Sequence, residues 1–495
     1  MEITRRTSVR FGPPTQGSIW AIVIIIAAHL NLALVECSLR TTEVFYLRWR
    51  EEFETSAKQT AAVQSIAWSL SCSCGLIGGL MVKRFGCRMT GIVGGLLAVL
   101  GVFGSAWVRS IYQLYITAAL NGVGLGILVN VSVVAVAQNI KQRYRTANAL
   151  MYSGRGTGKM AAPPLVQFLL TSYGWRGAIL VIAAITANAV VFASLFRPSR
   201  TLRKTELGNT SQNELDREKR ESSSVQEVHP GQENDAEADR ETETHVGTRD
   251  VEMIDAEMHR SDQNIYLCAY TPIPTTNDEL RLKVPLGSRI ASALGLVIFR
   301  KSYRFGLLCF LGIVCIIPFS GSAPFIIPRA QSIDITPSVA ALLLTLNGIG
   351  SLLGRLGNGL VISWKLSAET VCSISAAVTG TSLFLMNADS FVCMSVVSFL
   401  LGLSSGVMYS VCIVLTRQYV GDLQFSVCFG IYSTCVGIGA LLGGVAAGWV
   451  FDVTASYKAV FYVLGGIAFA CAFLMCLLPV LKRIEPGIDV KSTEP

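Results

Sequence analysis

Twelve apolar runs dominate the chain, at 18–40, 60–82, 89–107, 111–138, 146–170, 176–196, 304–327, 337–363, 369–386, 389–416, 424–450 and 456–480. Each is about 18 residues or longer, and at ~1.5 Å rise per residue a helix of that length crosses the hydrocarbon core of a bilayer. Lipid offers no partners to backbone N–H and C=O groups, so only helices and closed barrels span it. The expected fold class is therefore an all-α membrane protein with twelve transmembrane helices in two six-helix halves.

Charge placement supports that class and orients it. Charged residues make up 15% of the chain, against about 25% in an ordinary soluble protein, and the mean hydropathy is +0.50. With the N-terminus inside, Arg5, Arg6, Arg10, "VKRFGCR", "IKQRYR", Lys365, Arg417 and "LKR" all fall on the cytoplasmic side. The first loop on the other side, "LRWREEFETSAK", offsets its basic residues with acidic ones. The positive-inside rule then places both termini in the cytoplasm. The formal charge of +8 is read as this topological signal, and no nucleic-acid partner is expected. The first run is too long for a signal-peptide core and reads as a retained span.

Five segments follow: a tail 1–17, a helical half 18–196, a cytoplasmic loop 197–300, a second half 301–481 and a tail 482–495. Most of the loop is acidic and polar, too poor in apolar residues to offset its ordering entropy, and is expected to be disordered. Its "NTS" sequon at Asn209 would face the cytosol unglycosylated, and "IASALGLVIFRKSY" reads as a short amphipathic helix entering the second half. The halves echo each other weakly, with "GGLMVKRFGCR" after run two and "GNGLVISWKLS" after run eight, as in transporters built from repeats. Glycine clusters such as "GIGALLGGVAAG" are read as helix-packing positions. The 14 cysteines show neither CxxC pairs nor zinc spacing and are read as small apolar residues. No P-loop, HExxH, GxSxG or dinucleotide fingerprint occurs, and "GRGTGKM" lacks P-loop spacing. Neither an enzyme, a cofactor nor a metal site is expected.

Several stretches in order carry a more specific signal: "GSIW" opening run one, "RYRTANALMYSGRGTGKMAAPPL" in run five and "YGWRGAIL" opening run six. They continue with "ITPSVAALLLTLNGIGSLLGRLGNG" through run eight and "GIGALLGGVAAGWVFDVTASYKAVFYVLGG" through runs eleven and twelve. Together with the six-plus-six layout they resemble the monocarboxylate transporter (solute carrier) family of the major facilitator superfamily, of which this chain looks like a divergent member. The resemblance implies a helical bundle with a central cavity, alternating access, and transport of small monocarboxylates or related solutes across a plasma membrane. Some members of that family use a single-span accessory glycoprotein.

The resemblance also bears on Arg355, the lone cation in "GSLLGRLGNG". A charge at a bilayer centre costs from ~3 to more than 10 kcal/mol. The family's helix-eight arginine binds the substrate carboxylate, and Arg355 stands at that position; a planar, permanently charged fork suits a carboxylate. Pairing with another helix is the structural alternative. Two family proton-relay positions are replaced, an aspartate by Ser351 and a helix-one lysine by Ser38. Arg40, two residues on, is expected on a different face. Arg155 and Lys159, four apart in run five, share a helical face and stand where the family has small or apolar residues.

Other candidates are open between substrate and packing roles. They are His29 and Asn31 in run one, Asn347 eight residues before Arg355, and Ser405 with Tyr409 on one face of run ten. Glu36 must be partnered or protonated in a span; Lys159 is a candidate ion-pair partner, the alternative being that Arg155 and Lys159 widen the anion-attracting field of the cavity. The leading expectation is a secondary transporter of small carboxylated solutes, uncoupled from protons or coupled to something else. A uniporter of zwitterionic, creatine-like or aromatic amino-acid solutes, and a non-transporting membrane sensor or scaffold of the same fold, stay open.

Overall fold

Serines start many of the helices. Ser56, Ser110, Ser302, Ser367 and Ser456 each accept a hydrogen bond from a backbone N–H in the first helical turn, satisfying a donor the helix cannot. At Ser56 the cap is reciprocal, with the Gln59 side chain returning to the Ser56 N–H. The computed structural model describes residues 16–140, 144–196, 302–363, 367–420 and 425–479. The expected tails, the central loop with Asn209, most of the short helix before Tyr303 and Lys365 lie outside the described residues.

The described helices are α1 (Gln16–Glu52), α2 (Ala57–Ser73), α3 (Gly75–Gly104), α4 (Ile111–Asn139), α5 (Tyr144–Ser194), α6 (Tyr303–Ser322), α7 (Ile326–Gln331), α8 (Pro337–Ser363), α9 (Ala368–Leu385), α10 (Phe391–Val420), α11 (Phe425–Thr454) and α12 (Tyr457–Met475). No strand occurs among the described residues.

Ten of the described helical stretches are long and apolar enough to cross a membrane, and they carry eleven of the twelve runs. The stretch Ala147–Ser194 has 48 residues, about 72 Å if straight, more than two bilayer cores. Gly174 interrupts it at φ 68°, a conformation that glycine adopts without steric cost, and separates the fifth and sixth runs. The same device at Gly86, φ 77°, starts the third run. The second run is divided at Cys74 between α2 and the beginning of α3.

Packing follows the small residues. A Cβ on Gly154 or Gly158 of α5 would overlap the carbonyl oxygens of His29 and Ala33 on α1, and one on Gly402 of α10 would overlap the Asn347 carbonyl on α8. Helix α5 also packs on α8, and α2 on α11, so the N-terminal and C-terminal helices meet along two seams. Large apolar side chains that face outward, such as Ile26, Leu100, Ile116, Phe168, Val392 and Phe473, form the surface a bilayer covers. One departure concerns the cysteines: Cys315 of α6 and Cys471 of α12 are joined as a disulfide, so these two are a covalent tie between neighbouring helices rather than apolar filler.

Candidate functional site

A cavity opens between the N-terminal and C-terminal helices. Helices α1 and α5 contribute Glu36, Arg40, Glu43, Arg155 and Lys159; α8 and α10 contribute Asn347, Ser351, Arg355, Ser405 and Tyr409. Trp68, Phe319, Leu344, Met408 and Tyr432 are among its other walls. An apolar cleft with a few convergent polar groups is the usual form of a small-molecule site.

Helix register explains who reaches the cavity. Arg155 and Lys159 are one turn apart, as are Ser351 and Arg355, and Ser405 and Tyr409; each pair lies on one face. The glycine contacts that bring α5 against α1 and α10 against α8 leave those faces turned inward. Arg155 and Arg355, from the two sides of the α5–α8 seam, both stand against the Tyr409 ring, at 5.8 and 5.2 Å from its centre. A desolvated guanidinium over an aromatic face gains about 2 kcal/mol. The Nε atoms of both arginines are buried without a hydrogen-bond partner among the described residues.

On α1 the arrangement differs from the sequence expectation. Arg40 faces the cavity, while Ser38 turns toward α4 and exchanges hydrogen bonds with Asn121 at 3.1 and 3.3 Å. A continuous α1 rotates by about 100° per residue, so two positions on one helix reach different neighbours, and here the arginine has the cavity face. Arg40 donates to Glu36 Oε1 from Nη2 at 2.8 Å and from Nε at 3.2 Å, and Nη1 pairs with Glu43. Its guanidinium also lies 4.8 Å from the Trp68 ring centre. Gln64 of α2 donates to Glu43 Oε1 at 2.9 Å.

Glu36 therefore takes Arg40, one turn on in its own helix, as its close partner, with Arg155 Nη1 at 4.0 Å from Oε2. The expected pairing with Lys159 is not formed, because the i,i+4 neighbour is reached without crossing between helices. Lys159 lines the same cavity, with no ion-pair partner of its own among the described residues.

Two sequence candidates sit in helix seams instead. Asn31 is fully buried and donates to Ser132 Oγ on α4 at 2.9 Å. His29 meets Leu150 O at 2.8 Å through Nδ1 and Thr157 Oγ1 at 3.3 Å through Nε2, tying α1 to α5. Asn347 lines the cavity but its amide also donates to Ser398 O on α10 at 3.0 Å. Sequence reasoning passed over Glu43 and treated Arg40 only as displaced. The spacing Glu36, Arg40, Glu43 across the end of the first apolar run is the available signal, since such spacing makes an intrahelical ion triplet.

At one end of the bundle the two sets of helices are latched together. Asp452, near the end of α11, accepts the backbone N–H groups of Ala57 and Lys58 at the start of α2, at 2.8 and 3.0 Å. A carboxylate at a helix N-terminus satisfies orphan donors and meets the positive end of the dipole. Nearby, the Arg50 guanidinium lies 4.9 Å from the Phe451 ring centre.

Comparison with known proteins places this geometry. The model of the Major Facilitator Superfamily matches residues 16–301 and 308–494. "Monocarboxylate transporter 14" of Homo sapiens is 26% identical over 480 residues, covering 94% of this chain and 92% of its own. "Monocarboxylate transporter 12" of Xenopus laevis is 24% identical over 487 residues, covering 97% and 93%. Among solved structures, the nucleoside transporter NupG shares the fold, with a TM-score of 0.64 at 13% identity over 93% of this chain and 99% of that one. With both sets of helices inside one family model, the chain belongs to the Major Facilitator Superfamily, as a multi-pass membrane transporter similar along its length to monocarboxylate transporters.

Proposed function

We propose that the protein carries small carboxylated solutes across the bilayer by alternating access, with Arg355 as the carboxylate-binding group. The observation that carries this reading is an arginine in a cavity between the two sets of helices, stacked on Tyr409, with a buried Nε that no group among the described residues accepts. A half-buried guanidinium whose Nε lacks an acceptor is costly within a bilayer, and a carboxylate supplies the charge and the acceptors together. Similarity to monocarboxylate transporters supports the same solute class.

The rest of the cavity fits a carrier. Tyr409 positions the arginine, Ser405 and Asn347 supply neutral hydrogen-bonding groups, and the Arg40 cluster sets the field from α1. Ser38 and Ser351 hold no group that titrates near neutrality, so transport does not run through a proton relay at those two positions. The Asp452 contact with α2 is a cross-seam latch that must break when that end of the bundle opens. The basic loops orient both termini toward the cytoplasm, and the plasma membrane is the working location.

Uptake of radiolabelled pyruvate and lactate into oocytes tests the reading, with Arg355→Gln as control and surface expression measured in parallel. Arg355→Gln is expected to abolish saturable uptake at normal surface levels. Unchanged uptake of every transported acid in that variant sinks the assignment.

A further inference from the structure

The cavity holds more positive charge than one carboxylate neutralises. Four cations, Arg40, Arg155, Lys159 and Arg355, line it against two carboxylates, Glu36 and Glu43. Arg40 is spent on both carboxylates, and Arg155 stands 4.0 Å from Glu36. That group of four is neutral as a set. Lys159 on α5 and Arg355 on α8 remain, one on each side of the seam. Both side chains are half-buried, and charge left unpaired within the depth of a membrane is costly. Arg155, itself 8% exposed, adds an unpartnered Nε to the same space.

The seam register gives a separation for the two remaining cations. Gly348 of α8 abuts Lys159 and Met160 of α5, and Leu352 abuts Gly156. The two helices therefore run antiparallel at their contact, and Arg355 lies level with residues near 153. Lys159 is then about six residues away along the axis, roughly 9 Å. Two long, flexible cationic side chains from those positions can each meet one end of a short molecule.

We propose that the preferred substrate is a short-chain dicarboxylate, bound with one carboxylate on Arg355 and the other on Lys159. This rests on the reading of Arg355 as a carboxylate site and extends it. Lys159 is the specificity-determining residue: with it the cavity takes a dianion, and without it the cavity takes a monoanion. Arg155 stays on the Glu36 side and widens the positive field between the two ends.

The test is uptake of radiolabelled succinate and radiolabelled pyruvate at neutral pH in oocytes expressing the full chain, normalised to surface expression. Wild type is expected to favour succinate. Lys159→Met should lower the ratio of succinate to pyruvate uptake about tenfold or more, since one paired charge is removed and the other is kept. Lys159→Arg should retain the succinate preference, and Arg355→Gln should lose both substrates. Pyruvate uptake that depends on Arg355 without any succinate uptake overturns the dicarboxylate assignment and leaves the proposed function standing. An equal loss of both substrates in Lys159→Met also overturns it. Failure of the wild type to carry either acid removes the proposed function and this inference together. If Lys159→Met does not reach the surface, binding is read instead from the thermal stability of detergent-purified Lys159→Arg and wild type. Stabilisation by succinate above that by propionate is the supporting result, and equal stabilisation the contrary one.

Discussion

The Arg355 guanidinium stands 5.2 Å from the centre of the Tyr409 ring, and that contact fixes a helix-eight cation against helix ten. Arg155 meets the same ring from α5, at 5.8 Å. One aromatic side chain thus holds two like charges that would otherwise separate, and its contribution is testable through the ring alone.

Tyr409→Phe keeps the aromatic face and removes the hydroxyl, so uptake should stay within about threefold of wild type. Tyr409→Leu removes the face and about 2 kcal/mol of attraction, which corresponds to roughly a thirtyfold loss in apparent affinity. Concentration-dependent uptake of pyruvate separates the two. Equal behaviour of Phe and Leu would mean the ring does not position Arg355.

The Arg40 triplet is an all-or-nothing unit. Arg40→Gln leaves Glu36 and Glu43 buried with their main cation gone, and breaking a buried pair from one side costs ~3–5 kcal/mol. Thermal stability in detergent should fall sharply in that variant. It should recover in part when Glu36→Gln and Glu43→Gln are added, because those partners then carry no charge while Arg155 loses the anion 4.0 Å away. A triple variant no more stable than Arg40→Gln contradicts the pairing seen here.

Asp452→Ala should loosen the start of α2. Loss of a side-chain cap typically costs about 1 kcal/mol, enough to speed local opening about fivefold. Hydrogen exchange followed by mass spectrometry should show faster exchange in peptides covering Ala57 and Lys58, with the α8 and α10 core unchanged. No change at α2 argues against a latch across the seam.

Asp389, in the connection between α9 and α10, accepts a hydrogen bond from buried Arg329 and another from Lys458 Nζ at 3.0 Å. The Arg329 bond first, and the Lys458 bond second, hold its carboxyl below the ordinary aspartate value of 3.8. A depressed value means the charged form is favoured on folding, so the contribution is present above the unfolded value and is lost as pH falls through the folded one. The stability margin of wild type over Asp389→Asn should therefore be level from pH 8 to about pH 5 and shrink only below about pH 4. The side chain is more than half exposed, so solvent screening keeps the margin small. A margin that vanishes already near neutrality assigns the stabilisation to another group.

The inward faces were partly legible. Spacing of four residues paired Arg155 with Lys159 and Ser405 with Tyr409, and all four line the cavity. The same logic failed on α1. His29 and Asn31 are polar residues in an apolar run, yet each hydrogen-bonds a neighbouring helix, and Arg40 rather than Ser38 faces the cavity. A polar residue in a span must find a partner, and nothing local says whether that partner is substrate, side chain or carbonyl. The Cys315–Cys471 tie joins positions 156 residues apart, a separation at which no spacing rule operates.

By itself the sequence determined the number of apolar runs, the asymmetry of the basic loops and the positions of charges within the spans. These are properties of single segments, set by hydrocarbon thickness and the cost of exposing charge to it. Only the tertiary structure decided which charges meet: Glu36 with Arg40 instead of Lys159, and two arginines on one tyrosine. Those choices depend on the rotation of each helix about its axis. That rotation is set where glycines let backbones touch, as Gly154 does against His29 and Gly402 against Asn347, and a contact between distant segments has no signature in either one alone.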